Sequence, residues 1–292
     1  MKAALVLIFA ALTLSGGAQE LPLVPADPDE IGRWAQVSRP FRLHPTAPSE
    51  VDYQGPDFPA QLWGELALGQ ASYLIMLGIS PTSAGLFVDQ NRDRILVTEE
   101  LLSGGRGEGF YLWQVELTAE PAGGNPYPYQ LRFVWPEGRG YVFLLGGAPH
   151  QGEFPSSAGT RTFVMIDGDI DGVFGSENDF FAVDTYLDDG GLYGEEGGHE
   201  RFSLQEPFTI GGQSFLVAEV APDGSRVTLT ETDYVPPKIP LIPGHPAPNF
   251  SFQEFTSGEE LQLSDFQGQV VLLDFWASWC TPCMQKLPSV KE

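Results

Sequence analysis

Apolar and polar positions along this chain either change over with a period of two or gather in short apolar blocks, and helical periodicity is nearly absent. Phe110-Tyr111-Leu112-Trp113-Gln114-Val115 and Gln130-Leu131-Arg132-Phe133-Val134-Trp135 alternate, whereas Ser72-Tyr73-Leu74-Ile75-Met76-Leu77 and Gly140-Tyr141-Val142-Phe143-Leu144-Leu145 are close to continuous. Runs of this length, bounded by Gly, Pro and Asp, predict strands. Gly211-Gly212 and Pro222-Asp223-Gly224-Ser225 separate three late runs and predict hairpin turns. Residues 61–234 are therefore expected to be mainly antiparallel β. YLIMLG at 73–78 is echoed by YVFLLG at 141–146, each followed by a strand ending in an Asp-rich turn. Two related β units explain this, and so does chance likeness between apolar strands.

Proline marks the borders. Residues 19–60 carry Pro22, Pro25, Pro28, Pro40, Pro45, Pro48, Pro56 and Pro59, which predicts an extended lead-in packed on the β region or partly mobile. Residues 235–248 carry Pro236, Pro237, Pro240, Pro243, Pro246 and Pro248, and predict a stiff, extended linker. Beyond it, Asn249-Phe250-Ser251-Phe252 predicts a strand, and Ser264 a short helical turn through Phe266 that Gly268 ends. Residues 270–276 (VVLLDFW) are apolar on both sides, as a covered parallel strand requires.

Composition narrows the class. A 42% hydrophobic and 12% aromatic content supports real cores. With 39 acidic against 15 basic residues the net charge is −24, which repels nucleic-acid phosphates and anionic membrane surfaces and favours cations. Residues 1–18 read as a signal peptide: Lys2, an apolar segment from Ala3 to Leu14, and the small residues Gly16-Gly17-Ala18 before Gln19. That apolar segment is too short to span a bilayer as a mature helix. The expectation is an exported chain, periplasmic or extracellular, that does not span the membrane after cleavage.

Only two cysteines occur, and they stand together in Trp279-Cys280-Thr281-Pro282-Cys283, just after residues 270–276. At a helix N-terminus Cys280 would meet unpaired N–H groups and the positive dipole end, which lower a thiol pKa. Cys283, one turn on, lies within bonding reach, and Pro282 falls early in the helix, where its missing N–H costs nothing. Cys280 is then the attacking sulfur and Cys283 the resolving one. Zinc would need two further Cys or His ligands, and His245 lies across the proline-rich segment. Asp274, inside an apolar run, is expected to lose solvation and gain proton affinity.

Residues 244–288, from Gly-His-Pro-Ala-Pro-Asn-Phe through Asp-Phe-Trp-Ala-Ser-Trp-Cys-Thr-Pro-Cys to Leu-Pro, resemble the exported TlpA/ResA-like thioredoxin-family proteins, a group overlapping with redoxin and AhpC/TSA. The resemblance implies a thioredoxin-like α/β domain over 249–292, incomplete because the later strands and the cis-proline loop do not follow before Glu292. It makes Asp274 the group that takes the proton of Cys283, although this family commonly has Asn there. It makes Trp279, Thr281 and Pro282 the active-site flank. A peroxidase would need a lone peroxidatic Cys after a Pro-x-x-x-Thr arrangement, which this sequence does not show.

Two acidic loops stand apart from that chemistry. Asp167-Gly168-Asp169-Ile170-Asp171-Gly172 has carboxylates at positions 1, 3 and 5 and Gly at 6, the spacing of a calcium loop, with Glu177 or Asp179 standing in for the twelfth ligand because Asn178 occupies that place. Asp167, Asp169, Asp171 and Asp179 are the expected Ca²⁺ ligands. Asp89-Gln90-Asn91-Arg92-Asp93 repeats the spacing with Glu100 at position 12, but Arg94 replaces the Gly and Arg92 adds positive charge. Asp-rich turns without an ion give the same pattern.

The expected function is an exported thiol–disulfide oxidoreductase, antioxidant or redoxin-like, acting through a Cys-x-x-Cys dithiol with no cofactor beyond that disulfide. The chain is read as C-terminally truncated and inactive as it stands. Its partners are protein thiols or disulfides and an electron-donor protein. The alternative is a calcium-stabilised β-rich binding protein whose thioredoxin piece is an inactive remnant.

Overall fold

The computed structural model describes residues 18–27, 31, 37–157, 159–183, 201–238 and 246–290. Residues 1–17 of the signal peptide expected over 1–18, the proline-rich stretch at 239–245 and His245 lie outside the described residues; Ala18 begins the first strand. The chain divides into two compact units, Met1–Ile242 and Pro243–Glu292.

Apart from one short parallel pair, Asp52–Tyr53 with Ile95–Leu96, the described sheets of the first unit are antiparallel. Period-two patterning decides which side chains enter its core. In the strand Phe110–Ala119, Trp113, Val115, Leu117 and Ala119 are buried while Gln114, Glu116 and Thr118 face solvent. The partner strand Tyr127–Pro136 turns Tyr129, Leu131, Phe133 and Trp135 the same way. The register pairs Trp113 with Phe133, Val115 with Leu131 and Leu117 with Tyr129, so large side chains stack across the pair. A slip of either strand by one residue would turn its apolar set to the solvent face, and this fixes the register. The second half of the strand Gly159–Ile166, from Phe163 on, and the strand Phe180–Val183 instead bury their side chains on both faces.

The two late hairpins form where turn residues predict them. Gly211 (φ 60°) and Gly212 (φ 82°) link the strands Phe208–Ile210 and Gln213–Val220. Both central residues need positive φ in a turn whose twist suits the strands, and glycine adopts it without penalty. The turn at 221–225 joins Gln213–Val220 to Arg226–Thr232.

Residues 19–60 do more than pack against the β region. Ala18–Pro22 pairs with Arg226–Thr232, and Val37–Arg42 forms the edge of the sheet beside Tyr141–Gly146. Leu21, Leu23 and Leu43 reach the main core. Pro22 and Pro25 end their strands and Pro40 lies on the edge strand, where a missing N–H is tolerated, so proline content alone did not reveal the pairing. The start of the 235–248 segment is anchored rather than free: the Val235 N–H donates to Ser214 Oγ at 2.9 Å, and Thr209 Oγ1 donates to the Val235 carbonyl at 2.6 Å.

The second unit holds a small hairpin, Ser251–Gln253 with Glu260–Gln262, a 3₁₀ turn at Leu263–Phe266 and the helix Thr281–Val290. Residues 270–276 are not a strand. They run as irregular backbone with Val270, Leu272 and Phe275 largely exposed. A strand exists through its ladder partners, and among the described residues no strand lies beside this run, so the expected covered strand does not form.

Candidate functional site

The helix Thr281–Val290 begins directly after Cys280, whose carbonyl accepts the first helical hydrogen bond from Met284 N–H at 3.0 Å. Cys280 therefore occupies the cap position, with unpaired N–H groups of the first turn beside it. Its own N–H donates to the Ala277 carbonyl at 3.0 Å, closing the turn that delivers the chain into the helix. Cys283 lies one turn on, the two Cα atoms are 5.3 Å apart, and the sulfurs are joined as a disulfide. Both cysteines are half-buried, and Thr281 and Pro282 are exposed. Trp279, 86% exposed, leaves the dithiol open on that side.

Asp274 departs from expectation. It is exposed, because among the described residues no strand flanks the run that carries it. The structure thus brings Cys280 and Cys283 together and leaves Asp274 in solvent.

The redoxin family profile matches residues 242–292. Over this part the chain is similar to "Thioredoxin-like protein YneN" of Bacillus subtilis (strain 168), 41% identical over 59 residues, covering 20% of this chain and 34% of that protein. It is similar also to "Thiol-disulfide oxidoreductase ResA" of the same organism, 44% identical over 51 residues, covering 18% and 28%. Residues 242–292 are thus similar to the corresponding part of ResA/TlpA-like, thioredoxin-family proteins. The ResA of Geobacillus kaustophilus (strain HTA426) is 36% identical over 61 residues, covering 21% of this chain and 34% of that protein. The chain spans about a third of the length of the curated relatives it matches. No solved structure matches. Among the described residues no helix is long and apolar enough to cross a membrane.

In the first unit, oxygen atoms of Asp167, Asp169 and Asp179 converge to within 4.8 Å of one another. Asp167 is fully buried at the end of the strand Gly159–Ile166 and organises the loop. Its Oδ1 accepts from the N–H groups of Ile170 and Asp171, and its Oδ2 from Gly172 N–H and Tyr129 Oη, the latter two at 2.8 Å. Asp179 clamps the loop's return, accepting from Gly168, Gly175 and Ser176 N–H. Burial above all pushes the Asp167 carboxyl up to about 7, and raises Asp179 as well. Asp169 is half-buried; its Oδ2 accepts from Ser176 Oγ and Asn178 Nδ2, while its Oδ1 is shut off from solvent with no partner among the described residues.

Asp171, expected among the ligands, is not part of this convergence. Its Oδ1 accepts from Val173 N–H at 2.8 Å, so the turn itself consumes it. Of the two candidates for the last ligand, Asp179 is in place and Glu177 is exposed. Tyr129 was invisible to sequence reasoning as part of this cluster: it lies 38 residues before Asp167 on a strand where its alternation marks it only as core.

Proposed function

We propose that this protein is an exported thiol–disulfide oxidoreductase, periplasmic or extracellular, whose redox centre is the Cys280–Cys283 pair. The observation that carries the reading is a dithiol spanning the first turn of a helix, open to solvent beside Trp279. The redoxin match over the same residues supports it. In the reductive direction the Cys280 thiolate attacks one sulfur of a substrate protein's disulfide and forms a mixed disulfide, releasing the other sulfur as a thiolate. Cys283 loses its proton and attacks Cys280, which expels the second substrate thiolate and leaves the Cys280–Cys283 disulfide. An electron-donor protein returns two electrons and two protons. Asp274 is assigned the proton of Cys283 by family likeness, a role that requires a covered strand around residues 270–276.

The test uses the reduced full chain and a small aromatic disulfide in stopped flow. Cys283→Ser should trap a mixed disulfide on Cys280, and Cys280→Ser should abolish the fast phase. If Cys280 reacts at neutral pH no faster than free cysteine, the assignment fails.

The first unit favours a second, compatible property, calcium stabilisation at Asp167, Asp169 and Asp179. Two carboxyls raised by burial and a buried, unpaired oxygen on the third make an arrangement that a hard cation would relieve. Melting the chain with and without millimolar calcium checks it, and an unchanged Tm removes it. A calcium-stabilised β-rich binding protein with an inactive thioredoxin remnant is the reading left if calcium binds and the dithiol proves inert.

A further inference from the structure

We infer that residues 235–238 form a releasable strap on the first unit, held at its two ends and hollow beneath, whose opening lengthens the proline-rich connection. The first fastening is a closed ring of three hydrogen bonds. The Val235 carbonyl can only accept, so its bond at 2.6 Å comes from the Thr209 hydroxyl. That leaves Thr209 Oγ1 as the acceptor for the Ser214 hydroxyl, also at 2.6 Å, and Ser214 Oγ as the acceptor for Val235 N–H at 2.9 Å. Thr209 and Ser214 are 6% and 3% exposed, so water competes little for these groups. Every member both gives and receives a hydrogen bond, and each bond polarises the next.

Lys238 makes the second fastening. Its Nζ lies 3.0 Å from Glu206 Oε1, donates to the Arg201 carbonyl at 2.5 Å and stands over the Phe202 ring at 4.1 Å. The side chains of Lys238 and Glu206 keep 31% and 39% of their surface, so salt reaches this end and screens it. Between the two ends Pro236 and Pro237 are exposed, and they have no N–H with which to add a backbone bond. Together with Phe202, Pro207 and Phe208 they line a cavity of about 210 Å³. A segment that packed down would be held along its length by buried apolar area. This one is held at its ends, and the outer end can let go in water.

The ends act together. Proline fixes φ near −65° at both intervening positions, so anchoring Val235 limits where Lys238 can stand. Less freedom is then lost when Lys238 meets Glu206. Opening frees four residues, which in extended polyproline geometry span about 12 Å at roughly 3.1 Å per residue. The strap thereby sets the reach of the segment leading to residues 243–292, whether or not the dithiol is active.

Two measurements on the full chain test it: acetylation of Lys238 by an N-hydroxysuccinimide ester, read by mass spectrometry, and hydrogen exchange at Val235 N–H. In low salt Glu206→Gln should let Lys238 react about two- to fivefold faster than in wild type, the range an exposed ion pair supports, and molar sodium chloride should bring wild type close to the variant. Ser214→Ala should speed exchange at Val235 and acetylation at Lys238 together, while the amides of Arg226–Thr232, inside the same sheet, keep their protection. That protection separates release of the strap from unfolding of the sheet. Glu206 lies at the surface, so its variant reads the outer end even where Ser214→Ala disturbs the hairpin. Equal acetylation of Lys238 in wild type and Glu206→Gln would overturn the outer fastening and the inference with it. Faster exchange at Val235 in Ser214→Ala with no change at Lys238 would overturn it as well, since the ends would then be independent.

Discussion

Asp223 ties together two turns that lie 98 residues apart in sequence. Its Oδ2 accepts from Asn125 N–H and Nδ2, and its Oδ1 from Ser225 N–H and Oγ. Burial opposes its ionisation, but these four donors outweigh it and bring the carboxyl down to about 2. The folded pKa is below the unfolded value of about 3.9, so the stabilisation is complete above pH 4 and is lost as pH falls through about 2. Asp223→Ala should therefore cost about 2–3 kcal/mol at pH 7 in chemical denaturation, a deficit that shrinks below pH 4. A deficit unchanged at pH 2.5 would show that packing, not charge, is lost. At this scale Asp167 was legible through loop spacing. Tyr129 and Asn125 were not, because their partners are distant in sequence.

At the scale of the element, glycine separates two kinds of constraint. Gly212 has φ 82° with open space where a Cβ would stand, so Gly212→Ala pays conformational strain alone, about 1 kcal/mol. At Gly168 a Cβ would collide with the carbonyl oxygen of Asn178. Gly168→Ala should cost several times more, because the loop must open to admit it. Measured Tm values for the pair check this, and equal shifts would mean that the loop at 167 is looser than its hydrogen bonds imply. The strand pair Phe110–Ala119 and Tyr127–Pro136 was legible because alternation reports a half-buried face directly. Residues 270–276 were misleading for a matching reason. Apolar content specifies that a segment would gain from burial, not that anything is present to bury it.

For the whole molecule, two units with different degrees of cover predict different fates in a protease. The first unit buries most of its described aromatic residues, whereas residues 270–279 expose Leu272, Phe275, Trp276 and Trp279. Brief chymotrypsin treatment should cut first within 270–279 and leave the first unit resistant. Early cleavage between 110 and 136 would contradict the core described above.

Local pattern by itself determined the alternating strands of the first unit, the two late hairpins, the spacing of both acidic loops and the sulfur pair, since each depends on residues within a turn or two of one another. Tertiary structure alone decided which proline-flanked segments joined sheets, which carboxylates met and which stayed in solvent. Those outcomes depend on desolvation and on partners supplied from elsewhere in the chain. Asp274 left exposed and the Tyr129 hydroxyl brought onto Asp167 are consequences of surroundings that no short stretch of sequence encodes.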